Sequence, residues 1–212
     1  MPKRRVHPKP VQDPHPPIWS ATTSIDGHYE VGKMGVGLLS FAVGVPPEDL
    51  IPRVEAYKKG QADCEKPKGL FRNDQVVAFT MAHCAGTKQQ AYDEAEESML
   101  WYPKHGAKII GDTADYVRKL HGDDMGTYHY TADAKKRREE GALDGISFDY
   151  IKDSGAAMVG DPDQCAEIAK RYEAAGCDIL FCLLNPYNIS HEQCMNSIEH
   201  IGKYVIPEFD KD

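Results

Sequence analysis

No stretch of this sequence approaches the ~18 consecutive apolar residues of a membrane-spanning helix. The N-terminus opens on the basic MPKRR but lacks the apolar segment of a secretory leader: residues 7 to 17 hold five prolines and two histidines instead. A cytoplasmic protein that does not enter a membrane is therefore expected. Positive charge is in short supply, with 25 Lys and Arg against 33 Asp and Glu and a net charge of -8. MPKRR is too short to form a domain-scale basic patch, so a general nucleic-acid-binding surface is excluded. The six cysteines Cys64, Cys84, Cys165, Cys177, Cys182 and Cys194 contain no CxxC pair. Three of them fall within or beside apolar or helical patterns, which reads as buried free thiols in a reducing compartment rather than as disulfides or a metal site. No internal repeat, low-complexity tract, nucleophile triad or paired-carboxylate arrangement is apparent.

What is present is alternation. Short apolar runs separate segments of helical period, the signature of βα units around a parallel sheet. Four strands can be placed, at residues 18–22, 36–41, 76–82 and 179–184. The last is six apolar residues without interruption, the pattern of a strand covered on both faces. Thr87-Lys88-Gln89-Gln90 has capping-box spacing and opens a helix predicted to reach about Trp101. Asp161-Pro162-Asp163-Gln164 sets an N-cap, a first-position proline and a glutamine in order, and Gly176 offers a left-handed stop. Ser190 begins the final helix, whose apolar stripe is Cys194, Ile198, Ile201 and Val205, with Pro207 at its end. Leu50, Val54 and Tyr57 suggest a further helix with Pro52 near its start. Residues 104 to 155 are polar and read as an insertion or lid over a site.

The bend Thr22-Thr23-Ser24-Ile25-Asp26-Gly27 follows a strand and opens a helix. Unpaired N–H groups and the helix dipole at such a start favour a phosphate. Ser24 can add a hydroxyl, and Gly27 allows close approach to the backbone. The competing reading makes Ser24 a plain N-cap and Gly27 a packing glycine. Asp26 must point away from any anion, and Lys33 lies two turns further on. His83 and Cys84 end the third strand, at the edge where parallel βα sheets carry their sites. They either meet substrate or pack under the insertion. Tyr187, with Asn185 and Pro186, follows the fourth strand and is a candidate pocket wall. His121-Gly122-Asp123-Asp124 and Tyr128-His129-Tyr130 lack metal spacing and read as solvated lid residues. Asp93, Glu94, Glu96 and Glu97 read as a solvated helix face.

Three stretches, residues 8–39, 76–102 and 158–209, resemble in order the luciferase-like flavin-dependent monooxygenases. The most specific features are the proline-rich lead into an IW strand followed by TS and a helix ending in G-x-G, and the tail VGDP…AGCD…HEQ…VIPEF. The resemblance implies an α/β fold: a partial (β/α)8 TIM barrel of about four parallel strands with helices, equivalent to strands five to eight. Residues 1–212 would form one luciferase-like C-terminal half-barrel. A full barrel needs ~250 residues and eight strands.

By the same resemblance, Thr23, Ser24 and Gly27 bind the phosphate of FMN, the reduced form being supplied by a reductase. A deazaflavin is the alternative cofactor. The activity implied is oxidation of a small organic substrate with O2 and reduced FMN. Four strands leave two open edges, so the chain is expected to be complete only as an assembly, either a homodimer or a pair with a separate N-terminal-half chain. A non-catalytic flavin-binding relative, a deazaflavin-dependent oxidoreductase and an inactive fragment are the alternatives.

Overall fold

The computed structural model describes residues 7–121 and 146–210. Strand β1 (Trp19–Thr22) leads into helix α1 (Ile25–Lys33), and β2 (Gly37–Phe41) leads through a short 3-10 turn (Pro47–Leu50) into α2 (Ile51–Ala62). Strand β3 (Val76–Cys84) precedes the long α3 (Lys88–His121). Helix α4 (Phe148–Ser154), strand β4 (Met158–Gly160), α5 (Pro162–Ala174), β5 (Ile179–Leu183) and α6 (His191–His200) complete the order, followed by a π turn and a 3-10 turn. All pairings are parallel. The sheet runs β1-β2-β3, with β5 along Val77–Met81 of β3 and β4 along its last three residues. This is an α/β fold with an open parallel sheet.

The four strands expected from the sequence are all present, with a fifth added. β4 has only three residues, too few to show a period. The cap signals have their physical counterparts. Asp161 accepts from the Gln164 N–H at 3.0 Å, and Ser190 and Gln193 form a reciprocal capping box. Gly176 takes φ 90° after α5. Helix α3 does not stop near Trp101 but continues through Pro103 to His121. Proline removes one backbone donor without forbidding the helix beyond it. On the far side, the His105 ring stacks on Trp101 at 4.0 Å. Residues 122–145, which include Asp123, Asp124, Tyr128, His129 and Tyr130, lie outside the described residues. Ile146, Phe148 and Ile151, just after them, are buried.

Two apolar clusters hold the fold. Alternation along β3 sends Val76, Ala78, Ala82 and Cys84 into the first, under α1, α2 and α5 with Leu38, Val54, Tyr57 and Tyr172. Helices α1 and α2 meet at two glycines. A Cβ on Gly32 would lie 2.2 Å from the Tyr57 carbonyl oxygen, and one on Gly60 would lie 2.0 Å from that of Tyr29. Buried Tyr57 donates to the Val36 carbonyl at 2.9 Å, and desolvation pushes its hydroxyl pKa up to about 12. The second cluster sits at the C-terminal ends of the strands. It joins Val43, Met81, Ala85, Val159 and Ile189 to Ala91, Ala95 and Met99 of α3 and to α4.

The uninterrupted apolar run of β5 is not covered on both faces by the described residues. Leu180 and Cys182 pack against the first cluster, but Ile179 is 38% and Phe181 61% exposed. The sheet ends at β5, and the described residues supply no layer over that side. Phe181 instead continues a row of rings, Phe41–Phe79–Phe181, with centroids 5.8 and 5.9 Å apart. Ile198 on α6, expected in an inward stripe, is likewise 46% exposed.

Candidate functional site

The bend between β1 and α1 lies at the C-terminal end of β1, the edge on which βα sheets carry their sites. Ser24 is the N-cap, with φ -90° and ψ 151°, and its Oγ accepts from the Gly27 N–H at 3.1 Å. The hydroxyl proton is left to donate elsewhere. The first two N–H groups of the helix, those of Ile25 and Asp26, have no intrahelical partner by construction. Thr23 and Ser24 are half-buried, while Ile25 and Asp26 are exposed, so the helix start is open to a ligand. The space a Cβ on Gly27 would need is taken by Thr22, whose Oγ1 lies 2.0 Å from it. Gly27 therefore lets the strand's last side chain tuck beneath the helix's first turn.

Two residues that the sequence did not single out complete this corner. His28 is fully buried, with Nδ1 2.6 Å from the Ser24 carbonyl oxygen and Nε2 2.9 Å from the Ser40 hydroxyl on β2. A carbonyl can only accept, so Nδ1 carries the proton and donates; in the neutral ring Nε2 accepts from Ser40. Burial is the largest influence on His28 and lowers its pKa; the Ser24 acceptor works against that, and the Arg53 charge adds to it. Arg53, on the first turn of α2, donates from Nη1 to the Phe41 carbonyl at 3.2 Å. It thus brings a positive charge to the same corner, from 25 or more positions away in sequence, out of reach of any local motif.

The other candidate residues lie elsewhere. His83 is fully buried at the end of β3, and its Nε2 is bonded to Glu94 Oε2 of α3 at 2.8 Å. Glu94 is consequently not part of a solvated acidic face; it turns inward, while Asp93, Glu96 and Glu97 are exposed. The His83 Nδ1 has no partner among the described residues. Cys84 points the opposite way, into the first cluster, where the Cys165 thiol is its neighbour. Hydrogen bonding to Cys84, followed by burial, holds the Cys165 thiol far above its usual range. Tyr187 is 48% exposed and stacks on Trp101 at 4.4 Å and 4°. Its loop is pinned to α3 by Asn188, which donates to Ser98 Oγ at 2.8 Å and to Glu97 Oε2 at 3.0 Å. The six cysteines are all free. Among the described residues no group of three or more His, Cys, Asp or Glu is gathered as a metal would need, and no helix is long and apolar enough to cross a membrane.

A helix start at the C-terminal edge of an open parallel βα sheet, with helices following the strands, is the arrangement of part of a (β/α)8 barrel. The luciferase-like monooxygenase family model matches residues 2–178. The chain belongs to the luciferase-like monooxygenase family. No functionally curated protein matches it. Solved structures similar to it include the oxygenating constituent of 3,6-diketocamphane monooxygenase from Pseudomonas putida in complex with FMN, at 17% identity and TM-score 0.61 over 92% of this chain and 49% of that one. Monooxygenase RslO1 from Streptomyces bottropensis is similar at 16% identity and TM-score 0.60 over 95% and 51%. The coenzyme F420-dependent tetrahydromethanopterin reductase from Methanopyrus kandleri is similar at 21% identity and TM-score 0.55 over 92% and 51%. The chain spans about half the length of these structures.

Proposed function

We propose that this chain is the phosphate-binding half of a flavin-dependent monooxygenase that oxidises a small organic substrate with O2 and reduced FMN. The supporting observation is the α1 start, where the Ser24 hydroxyl keeps a proton to donate, Ile25 and Asp26 are exposed with N–H groups that have no helical partner, and the Arg53 charge is felt by His28 of the same turn. That donor set fits a phosphate. Thr23, Ser24 and the backbone at Ile25 and Asp26 would hold it, with Gly27 keeping the turn tight and Arg53 balancing its charge. Asp26 stays turned to solvent. Bound reduced flavin supplies the oxygen activation. The protein's part is to hold the cofactor at this corner and to present apolar walls that exclude water; Phe41 and Phe79 on the open face and Tyr187 on its loop are the candidates for those walls.

The reading includes an assembly. Among the described residues strand β1 pairs only with β2, and β5 only with β3. Two copies related by a twofold axis along the strands would set β1 of each beside β5 of the other, in parallel, closing a ring of β1, β2, β3 and β5 from each copy, with the short β4 at its rim. A separate N-terminal-half chain would close the same edges. A second cofactor reading, a deazaflavin, draws on the resemblance to the F420-dependent reductase and to an F420-dependent secondary alcohol dehydrogenase. Both cofactors present a phosphate to such a corner.

Titration of wild type and Ser24→Ala with FMN tests the site. The variant is expected to lose about 1–3 kcal/mol of binding, the value of a hydroxyl bonded to a charged oxygen. Its melting temperature, measured in parallel, separates this from the lost N-cap. Equal affinities remove Ser24 from the site. Reduced flavin, O2 and a panel of aldehydes and alkanes then distinguish enzyme from binder, because a binder retains flavin without accelerating oxidation.

A further inference from the structure

We infer that His28 is the positioning residue of this corner: its ring, held between the Ser24 carbonyl and the Ser40 hydroxyl, fixes the peptide whose N–H faces the anion. The inference rests on the phosphate reading above and names the side chain on which its geometry depends. The Ser24 oxygen receives two donors, the His28 backbone N–H at 3.0 Å and the His28 Nδ1–H at 2.6 Å. Across a planar trans peptide, a carbonyl and the following N–H point in opposite directions. Pinning the Ser24 oxygen inward along α1 therefore turns the Ile25 N–H outward. The other side of the ring reaches Ser40, which is paired with Thr22 in the sheet, so the turn is referenced to β2 as well as to its own helix.

An apolar side chain of similar bulk would fill the same space but could not do this. It would leave the Ser24 oxygen with a single donor and the buried Ser40 hydroxyl without its acceptor. Asparagine, whose amide nitrogen can stand where Nδ1 stands, would restore the bond to Ser24 and lose the one to Ser40. The imidazole must also hold a particular tautomer, with its proton on Nδ1 and a bare Nε2.

Nitrogen-15 NMR of the histidine-labelled chain reads that tautomer without any flavin. The His28 signal, assigned by its loss from the spectrum of His28→Asn because the Nδ1 atoms of His15, His105 and His200 also face carbonyl oxygens, is expected to be that of a neutral ring protonated at Nδ1. An Nε2-protonated or freely titrating ring at His28 overturns the inference. Binding of FMN and of riboflavin, which lacks the phosphate, is then compared across variants. His28→Leu should weaken FMN roughly tenfold and leave riboflavin unchanged, while His28→Asn stays within about threefold of wild type. A wild type that does not prefer FMN over riboflavin defeats the phosphate reading and the inference with it. A folded His28→Leu that keeps the full FMN preference defeats the inference alone. Should His28→Leu fail to fold, the tautomer and the His28→Asn affinity decide, and an asparagine variant as weak as Ser24→Ala counts against positioning.

Discussion

One side of β3 carries Val76, Ala78, Ala82 and Cys84 into a sealed layer, whereas the other carries Phe79 into a row of rings that Phe41 and Phe181 leave open to solvent. The residues on the two sides are comparably apolar; what differs is what lies over them. The sealed side has α1, α2 and α5, and its buried polar groups are paired: Tyr57 with Val36, Tyr172 with Thr80, and His28 with Ser24 and Ser40. The open side has α3 and α4 only at the strand ends. Strand pairing and the helices that follow each strand complete one face locally. The other face of a barrel is completed only when the sheet closes on itself, and that needs more strands than the five among the described residues. Val77, Met81 and His83 on the open side are buried within one copy, whereas covering Phe41 and Phe181 is the task of the proposed assembly; burial of the sealed side is a property of each βα unit.

The largest effect expected from this contrast is on association. In the proposed assembly Phe181 lies at a closed seam, and Phe181→Asp should weaken self-association or capture of a complementary half by at least about 100-fold, as for a central interface anchor. Light scattering across a dilution series measures it. A wild type that stays monomeric and well folded at all concentrations breaks closure by a second copy. The next effect is on stability. Leu38→Ala on the sealed side should cost about 2–5 kcal/mol in urea unfolding, the range for truncating a fully buried leucine. Phe181→Ala, measured on the dissociated chain, should change stability by less than about 1 kcal/mol. Comparable losses at the two positions would mean that the open face is already covered within one copy.

Much of the sealed side was legible in the sequence because its determinants are local. The N-caps Asp161 and Ser190, the glycine after α5 and the strand cores all sit within a few residues of what they control. β4 was missed because three residues carry no period, and the extent of α3 because the polar residues from 104 onward were read as an insertion or lid. The β5 run was read correctly as apolar on both sides, but sequence period reports what a strand is built to meet, and this chain does not bring that partner within the described residues. At the candidate site, the bend and its N-cap serine were visible. His28, Ser40 and Arg53 were not, because a histidine four residues into a helix and an arginine on the next helix show no pattern until the sheet sets β1 beside β2. Glu94 was misread for the same reason, since its partner His83 lies on a strand and faces inward.

The smallest effect sharpens the comparison from the rim of the sealed side. Arg171 on α5 forks onto Glu48, with Nε and Nη2 each 2.7 Å from a carboxylate oxygen, and Nη2 also reaches the Ser154 carbonyl at 2.7 Å. One side chain thereby ties α5 to the turn before α2 and to the end of α4. The Arg171 hydrogen bond is the main cause of a Glu48 pKa held below its ordinary 4.5. A carboxyl whose folded pKa is depressed contributes stability that is fully present above its unfolded value and fades as pH falls through the folded one. The fork's contribution should therefore be constant from neutral pH down to about 5, begin to fade near the ordinary 4.5 and be lost once the pH has fallen through the folded Glu48 value below it. Both side chains are more than a third exposed, so solvent screening limits the effect to on the order of 1 kcal/mol or less. Glu48→Gln should lower the urea midpoint slightly at pH 7 and not at pH 3, and Arg171→Met should lower it at pH 7 and, through the lost Ser154 bond, retain part of that loss at pH 3. A Glu48→Gln deficit that persists unchanged at pH 3 would show that the tie is steric packing rather than charge.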